Sequence, residues 1–408
     1  MIYSPFSRPL YVMLKPTGSL CNLHCDYCYY LEKQHLYNGT KSSQQVMSDA
    51  LLEKFTREYI EAQTEPDVLF TWHGGEPLMR PISFYRKALK LQKIYGRGRH
   101  IENNIQTNGT LINEEWCDFF RRHHFLVGIS IDGPEEFNHF RHYRGGKEAF
   151  SKIVHGIELL NRYGVEWNAM ATINSLNVLH PKEFYHFFKD MGCQFLQFSP
   201  IVERELSHDD GRKLATPHEQ GAMLPQSVNP EDYGRFLCGV FDEWVREDVG
   251  KIFVQLFDST LACWMGIQPG VCTMAKACGH AGVMEYNGDV YSCDHYVFPE
   301  YKIGNIYEKT LIEMMYSDRQ LQFGQQKRSL PQQCVDCQWL FACNGGCPKD
   351  RFVKVSEIED GPMLNYLCPA FKMFFNHVAP AMDFMRNELL NKRPPANIMK
   401  YNGFISKE

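Results

Sequence analysis

Three cysteines at C-x3-C-x2-C spacing, Cys21, Cys25 and Cys28, sit inside one short loop. A β-like run, Tyr11 to Lys15, precedes the loop and is broken by Pro16, Gly18 and Ser19. Three thiolates this close in sequence can ligate three corners of one iron–sulfur cluster. No fourth cysteine lies near enough in sequence to close the site. One iron of a 4Fe–4S cluster would then stay open to a non-protein ligand. An open coordination position separates a catalytic metal site from a structural one. A zinc knuckle, or three unlinked buried thiols, is the competing reading of the same spacing.

Downstream, hydrophobic periodicity alternates between the two regular structures. Ser48 opens a helix whose Leu51, Leu52, Phe55 and Tyr59 share one face. Val68–Trp72 reads as a strand stopped by His73-Gly74-Gly75-Glu76-Pro77. A helix follows over about Ser83–Tyr95, then a strand over Ile101–Thr107. Asn113 caps the next helix, with Glu114 and Glu115 near its positive end. Further strands are expected at Phe125–Ile131, Val165–Ile173 and Phe195–Ser199, with helices at Ala149–Tyr163 and Pro181–Met191. This order predicts a parallel α/β sheet. Six strands fall between Tyr11 and Ser199, whereas a complete barrel takes eight units in ~250 residues. The expected fold is therefore an open, partial (β/α)6 TIM-like barrel. Ligands collect at the carboxyl ends of such strands. The cysteine loop and the stretches 73–77, 106–110 and 130–134 should meet in one cleft, with Gln106 and Asn108 facing cofactor or substrate.

Glu203–Pro230 is polar, holds His208, Asp209, Asp210 and Gly211, and reads as a surface loop. Glu231–Val249 reads as a helix. From about Phe253 the strand–helix rhythm fades and cysteines become frequent. Ala370–Asn391 reads as a helix carrying Phe371, Phe374, Phe375 and Met385, with an irregular tail from Lys392. The expected division is a barrel domain over 1–230, a cysteine-rich domain over 231–370, and a C-terminal helix and tail over 371–408.

A net charge of −5 with interleaved signs offers no basic patch for nucleic acid. No apolar run approaches a membrane span. The segment Met1–Leu10 has no apolar core, so it does not read as a signal peptide, and a cytoplasmic location is expected. There, 15 cysteines would stay reduced, and their clustering points to metal ligation. Eight of them lie late in the chain: Cys272, Cys278, Cys293, Cys334, Cys337, Cys343, Cys347 and Cys368. Eight thiolates make two complete four-ligand sites, either 4Fe–4S clusters or structural zinc. Cys117, Cys193, Cys238 and Cys263 read as small core residues.

The three-cysteine loop, with Tyr27 before its last cysteine, resembles that of the radical S-adenosylmethionine (SAM) superfamily. Gly74-Gly75-Glu76-Pro77 is similar to that superfamily's methionyl-amine site. The resemblance implies SAM contacts from Tyr27, Gly74, Gly75, Glu76, Ser130, Arg141 and Val202. A glycine pair admits close backbone approach, and the planar fork of Arg141 suits a carboxylate. The late cysteines resemble the SPASM extension of peptide-modifying members, and the anaerobic sulfatase-maturating enzymes in particular. Shared segments are Gln106–Thr110, Asp132–Pro134, Cys293-Asp294 and Cys343–Cys347. His73 departs from the pattern, since relatives often carry glutamine there.

That resemblance implies three 4Fe–4S clusters. One would use Cys21, Cys25 and Cys28; a second Cys272, Cys278, Cys293 and Cys347; a third Cys334, Cys337, Cys343 and Cys368. It implies that SAM is cleaved to methionine and 5′-deoxyadenosine. Asp294 would be the catalytic base while a serine or cysteine of a target sulfatase becomes Cα-formylglycine (3-oxoalanine). The partners implied are an unfolded or nascent sulfatase polypeptide and an electron donor such as ferredoxin or flavodoxin. Two alternatives stay open at this point. One is another SPASM peptide modifier that makes thioether or carbon–carbon cross-links. The other is a non-enzymatic electron carrier or zinc-stabilised module, against which the Gly74–Pro77 stretch argues. Serine versus cysteine preference and oligomeric state are not legible.

Overall fold

Strand and helix alternate through Pro200 at nearly the positions that periodicity predicts. The computed structural model describes residues 10–37, 45–206, 213–217, 219–355 and 361–401. The segment 1–9, the polar stretch His208–Gly211 and the tail after Tyr401 lie outside the described residues. The chain folds into two compact units that do not follow chain order.

The first unit comprises 1–130, 140–167 and 278–325. Its parallel strands are β1 (Tyr11–Leu14), β2 (Asp67–Trp72), β3 (His100–Thr107) and β4 (Phe125–Ser130). They lie side by side in chain order, with Leu14 beside Trp72, Trp72 beside Ile105, and Ile105 beside Val127. Helices Asp49–Glu61, Ile82–Gly96, Glu114–Arg122 and Phe150–Tyr163 alternate with them or follow. Ser48 accepts the Leu51 N–H at 3.1 Å, and Asn113 accepts that of Trp116 at 3.0 Å. Both caps therefore satisfy otherwise orphaned donors at the helix starts. Phe55, Tyr59, Phe70 and Trp72 are buried together, with ring centroids 5.0–6.1 Å apart. Each such ring stabilises the core by roughly 2 kcal/mol or more through removal from water.

One part of this unit has no precedent in the sequence reading. A strand from the cysteine-rich region, Ala281–Met284, pairs parallel with β1 over its whole length. Asp289–Tyr291 and then Lys302–Asn305 continue antiparallel from it. The late segment carrying Cys293 and Asp294 thus joins the same sheet as the first cysteine loop. Three- and four-residue strands leave too little alternation to be recognised from sequence.

The second unit comprises 131–139, 168–277 and 326–408. The strands Trp167–Ile173 and Phe195–Pro200 pair parallel, from Ala169 beside Leu196. A further two-residue strand, Phe253–Val254, pairs parallel with Phe195–Leu196 and leads into the helix Gln255–Trp264. One more strand–helix step therefore follows the point where the sequence rhythm fades. The stretch expected to be a loop holds a small antiparallel sheet of Arg204–Leu206, Lys213–Leu214 and Ala222–Met223. Strands this short give no period-2 signal. The helices Pro230–Glu247 and Cys368–Leu390 close around Phe184, Phe198, Phe236, Phe257 and Phe374, with Phe184–Phe236 at 5.0 Å and Phe257–Phe374 at 5.8 Å. Cys117, Cys193 and Cys263 are buried, as small core residues should be. Among the described residues no helix is long and apolar enough to cross a membrane.

Candidate active site

The first cysteine loop follows β1 and is stitched to the turn after β2. Gly75 N–H donates to Gly18 O at 2.7 Å, and Glu76 N–H to Leu20 O at 2.8 Å. A Cβ at Gly75 would collide with the Leu20 carbonyl, so only glycine fits there. Cys21, Cys25 and Cys28 are half-buried and free of disulfides. Cys28 N–H donates to Cys25 O at 3.1 Å, and Asn108 Nδ2 approaches Cys21 Sγ at 3.8 Å. Burial pushes the Cys21 and Cys28 thiols up. A thiol held this way keeps its proton in the absence of a metal, and metal binding would release that proton to solvent.

Glu76 is fully buried, and its carboxylate is turned inward. It accepts from Leu78 N–H at 2.8 Å, Thr107 Oγ1 at 2.7 Å and Asn108 N–H at 2.8 Å. Burial outweighs these three bonds and pushes its carboxyl up to about 7. Glu76 thus anchors the end of β3 to the glycine turn, and only its backbone remains for a ligand. Ser130, at the end of β4, accepts from Gln106 Nε2 at 2.9 Å. Arg141 is buried with its guanidinium 5.4 Å from the Tyr27 ring. These residues all lie in the first unit. Val202 is buried in the second unit, where its carbonyl accepts from Lys349 Nζ at 3.1 Å.

Asp294 is held by residues that sequence reasoning missed. Lys15 Nζ pairs with Asp294 Oδ1 at 2.7 Å, with side-chain exposures of 0% and 19%. Tyr29 O–H donates to Asp294 Oδ2 at 2.6 Å. The same ammonium sits 3.9 Å from the Tyr30 ring centre and 3.4 Å from His73 Nδ1. Tyr30 in turn donates to Glu285, whose carboxyl burial pushes up to about 8. Burial alone would raise the Asp294 carboxyl as well. The positive field of Lys15, whose ammonium also bonds Oδ1, outweighs it and holds Asp294 far below the usual carboxylate range. The result is a half-buried carboxylate that favours its ionised form. One sequence signal for Lys15 did exist: a charged residue ending an apolar run where ligands collect.

The late cysteines fall into groups. Cys334, Cys337, Cys343 and Cys368 line one pocket in the second unit. Trp339, Leu340, Phe371 and Phe375 complete its apolar wall. Burial pushes the Cys343 thiol up to about 12. Among the described residues no three His, Cys, Asp or Glu side chains converge on one ion. A cubane asks for a wider spacing, because each thiolate binds its own corner iron, and four thiols around a common cavity fit that donor set. Cys278 and Cys293 pack against the same aromatic group of Tyr296, Tyr301 and Phe323 in the first unit. In the second unit, Lys327 Nζ donates to Thr273 O at 2.8 Å, beside Cys272, and Cys347 O accepts from Asn365 Nδ2 at 3.2 Å.

Comparison with known proteins agrees with this arrangement. The radical SAM superfamily model matches residues 16–188, and that of the SPASM iron–sulfur cluster-binding domain matches 277–338. The chain is 62% identical over 402 residues to a serine-type anaerobic sulfatase-maturating enzyme of Bacteroides thetaiotaomicron, covering 98% of this chain and 96% of that one. This chain belongs to the anaerobic sulfatase-maturating enzymes. A cysteine-type member from Clostridium novyi is 36% identical across 90% of the maturase and 95% of its own length. The solved structure of native anSMEcpe with bound AdoMet and Cp18Cys peptide superposes with a TM-score of 0.81 at 31% identity, covering 94% of the maturase and all of that chain. The maturase is thus a radical SAM enzyme that generates Cα-formylglycine in sulfatases, with SAM and three 4Fe–4S clusters as cofactors.

Proposed function

We propose that the maturase oxidises a serine of an unfolded or nascent sulfatase polypeptide, with Asp294 as general base. The serine reading follows the 62% identical relative, which is named serine-type. One observation supports the base: a half-buried carboxylate directly after Cys293 is kept ionised by Lys15 and oriented by Tyr29. Cys21, Cys25 and Cys28 would hold the cluster that binds SAM, which would supply the radical chemistry needed at the target β-carbon. Asp294 removes the hydroxyl proton from within hydrogen-bond reach. One hydrogen atom, one proton and one electron leave in total, which is the two-electron oxidation of a serine to an aldehyde.

The backbone of the Gly74–Glu76 turn receives the methionyl ammonium, and the Arg141 guanidinium its carboxylate. Ser130 would meet the ribose, and Tyr27 and Val202 are the residues we assign to the adenine. Cys334, Cys337, Cys343 and Cys368 hold one auxiliary cluster, which would supply an acceptor for the departing electron. Cys272, Cys278, Cys293 and Cys347 hold the other. The functional division we assign is 1–230 for radical chemistry, 231–370 for the auxiliary clusters, and 371–408 as C-terminal helix and tail. A ferredoxin or flavodoxin in the reducing cytoplasm would deliver the electrons.

Anaerobic incubation with SAM, a reductant and a sulfatase peptide bearing the target serine tests this reading. Hydrazide capture of the product, followed by mass spectrometry, should reveal the aldehyde at that residue. An enzyme that forms 5′-deoxyadenosine but no trapped aldehyde from the serine peptide would sink it.

A further inference from the structure

His73 follows β2 at the start of the glycine turn, and its half-buried ring has had no role so far. Its Nδ1 accepts the Gly74 N–H at 2.8 Å and faces the Lys15 ammonium at 3.4 Å. Both neighbours have protons to give and no lone pair to offer. The Gly74 carbonyl, at 3.3 Å, is a longer contact than the Gly74 N–H at 2.8 Å, and a proton on Nδ1 would confront two donors. Nδ1 is therefore the bare nitrogen. A neutral imidazole then carries its proton on Nε2. Burial and the Lys15 charge lower His73 to about 4, so the ring is neutral under working conditions.

Nε2 makes no hydrogen bond to any described residue; each polar contact of this ring is made by Nδ1. Nε2 is not among the buried atoms left without a partner, so it stays open to water and to an incoming ligand. Asp294 is joined to this ring through one ammonium: Lys15 Nζ lies 3.4 Å from His73 Nδ1 and 2.7 Å from Asp294 Oδ1. An acceptor for a proton and a donor of a hydrogen bond thus stand beside one another. A hydroxyl is the group that uses both at once, since it donates through its O–H and accepts on its lone pairs.

We infer that His73 donates its Nε2–H to the side-chain oxygen of the target serine and so favours serine over cysteine. Oxygen is a strong acceptor, whereas a thiol sulfur is a weak one. As the hydroxyl proton passes to Asp294, negative charge builds on the oxygen, and the fixed donor then holds it more strongly. Lys15 acts here through Nδ1, by fixing the tautomer. The inference rests on the serine reading above.

The test measures aldehyde formation from two sulfatase peptides identical except for serine or cysteine at the target. Wild type, His73→Leu and His73→Gln are compared as reconstituted holoenzymes of equal iron content. Loss of one hydrogen bond should lower the serine-to-cysteine rate ratio roughly ten-fold in His73→Leu. His73→Gln keeps an N–H donor and should recover most of the ratio. An equal loss with both peptides, or an unchanged ratio, overturns the inference. Equal loss accompanied by weaker SAM binding also overturns it, by assigning the donor to the cofactor. A wild-type enzyme that leaves serine untouched overturns the serine reading, and the inference with it.

Discussion

The two cysteine sites built within single units differ in one ligand, and that difference separates their chemistry. Cys21, Cys25 and Cys28 occupy one loop beside a glycine turn, a buried arginine and a carboxylate held ionised. Cys334, Cys337, Cys343 and Cys368 ring an apolar cavity walled by Trp339, Phe371 and Phe375. Three thiolates leave an iron for a substrate-like ligand; four close the cluster. Polar, charged surroundings suit a site that must bind SAM and move a proton. Aromatic surroundings suit one that only exchanges electrons, because the shell around a cluster sets its potential and excludes solvent.

The sharpest way to break this comparison is to remove one thiol from each site. Cys28→Ala should abolish 5′-deoxyadenosine formation, whereas Cys343→Ala should retain it while losing about four irons per chain. Equal loss of 5′-deoxyadenosine in both variants would mean that the two sites are not functionally distinct. Next in size, Asp294→Asn should lower aldehyde formation by roughly 10²–10⁴. The same variant should still cleave SAM, so that 5′-deoxyadenosine accumulates without product. Normal aldehyde output would remove Asp294 from the base role.

Stability offers two finer tests. Lys15→Met leaves the half-buried Asp294 carboxylate without its cation, which should destabilise the holoenzyme by roughly 3 kcal/mol. Anaerobic calorimetry reads this, and a Tm within one degree or so of wild type would show the pair to be energetically idle. The smallest effect concerns Glu76. Its folded value of about 7 lies above the ordinary carboxylate range. The folded state therefore favours the protonated form. Its stabilising effect is complete at pH below the unfolded value and is lost as pH rises through about 7. Wild-type Tm should fall between about pH 4.5 and 7 and level off above that, and Glu76→Gln should flatten that slope. A parallel slope in both proteins would assign the pH dependence to other groups.

Much of the proposed site rests on motif and local spacing. Cluster ligands are set by residue type and local spacing, and Cys21–Cys28 needs only one loop to bring its thiols together. Helix starts at Ser48 and Asn113 were legible for the same reason, since a cap acts within three residues. Glu76 was legible as part of a motif but not as a buried anchor, because its partners Thr107 and Asn108 are more than thirty residues away. The strand Ala281–Met284 was illegible, because four residues carry no period and their partner strand is Tyr11–Leu14.

The sequence alone determined the chemistry on offer: a three-thiolate loop, a glycine turn, eight further thiols and an aspartate fixed beside one of them. Those are properties of neighbouring residues, and covalent connection keeps neighbours together in any fold. Only the tertiary structure decided that Lys15 reaches Asp294 across 279 positions of chain, so that a half-buried carboxylate stays an anion. It also decided that His73 Nδ1 faces the ammonium of a lysine 58 residues earlier, at 3.4 Å. Charge and proton placement are set by distances in space, and a linear sequence does not contain those distances.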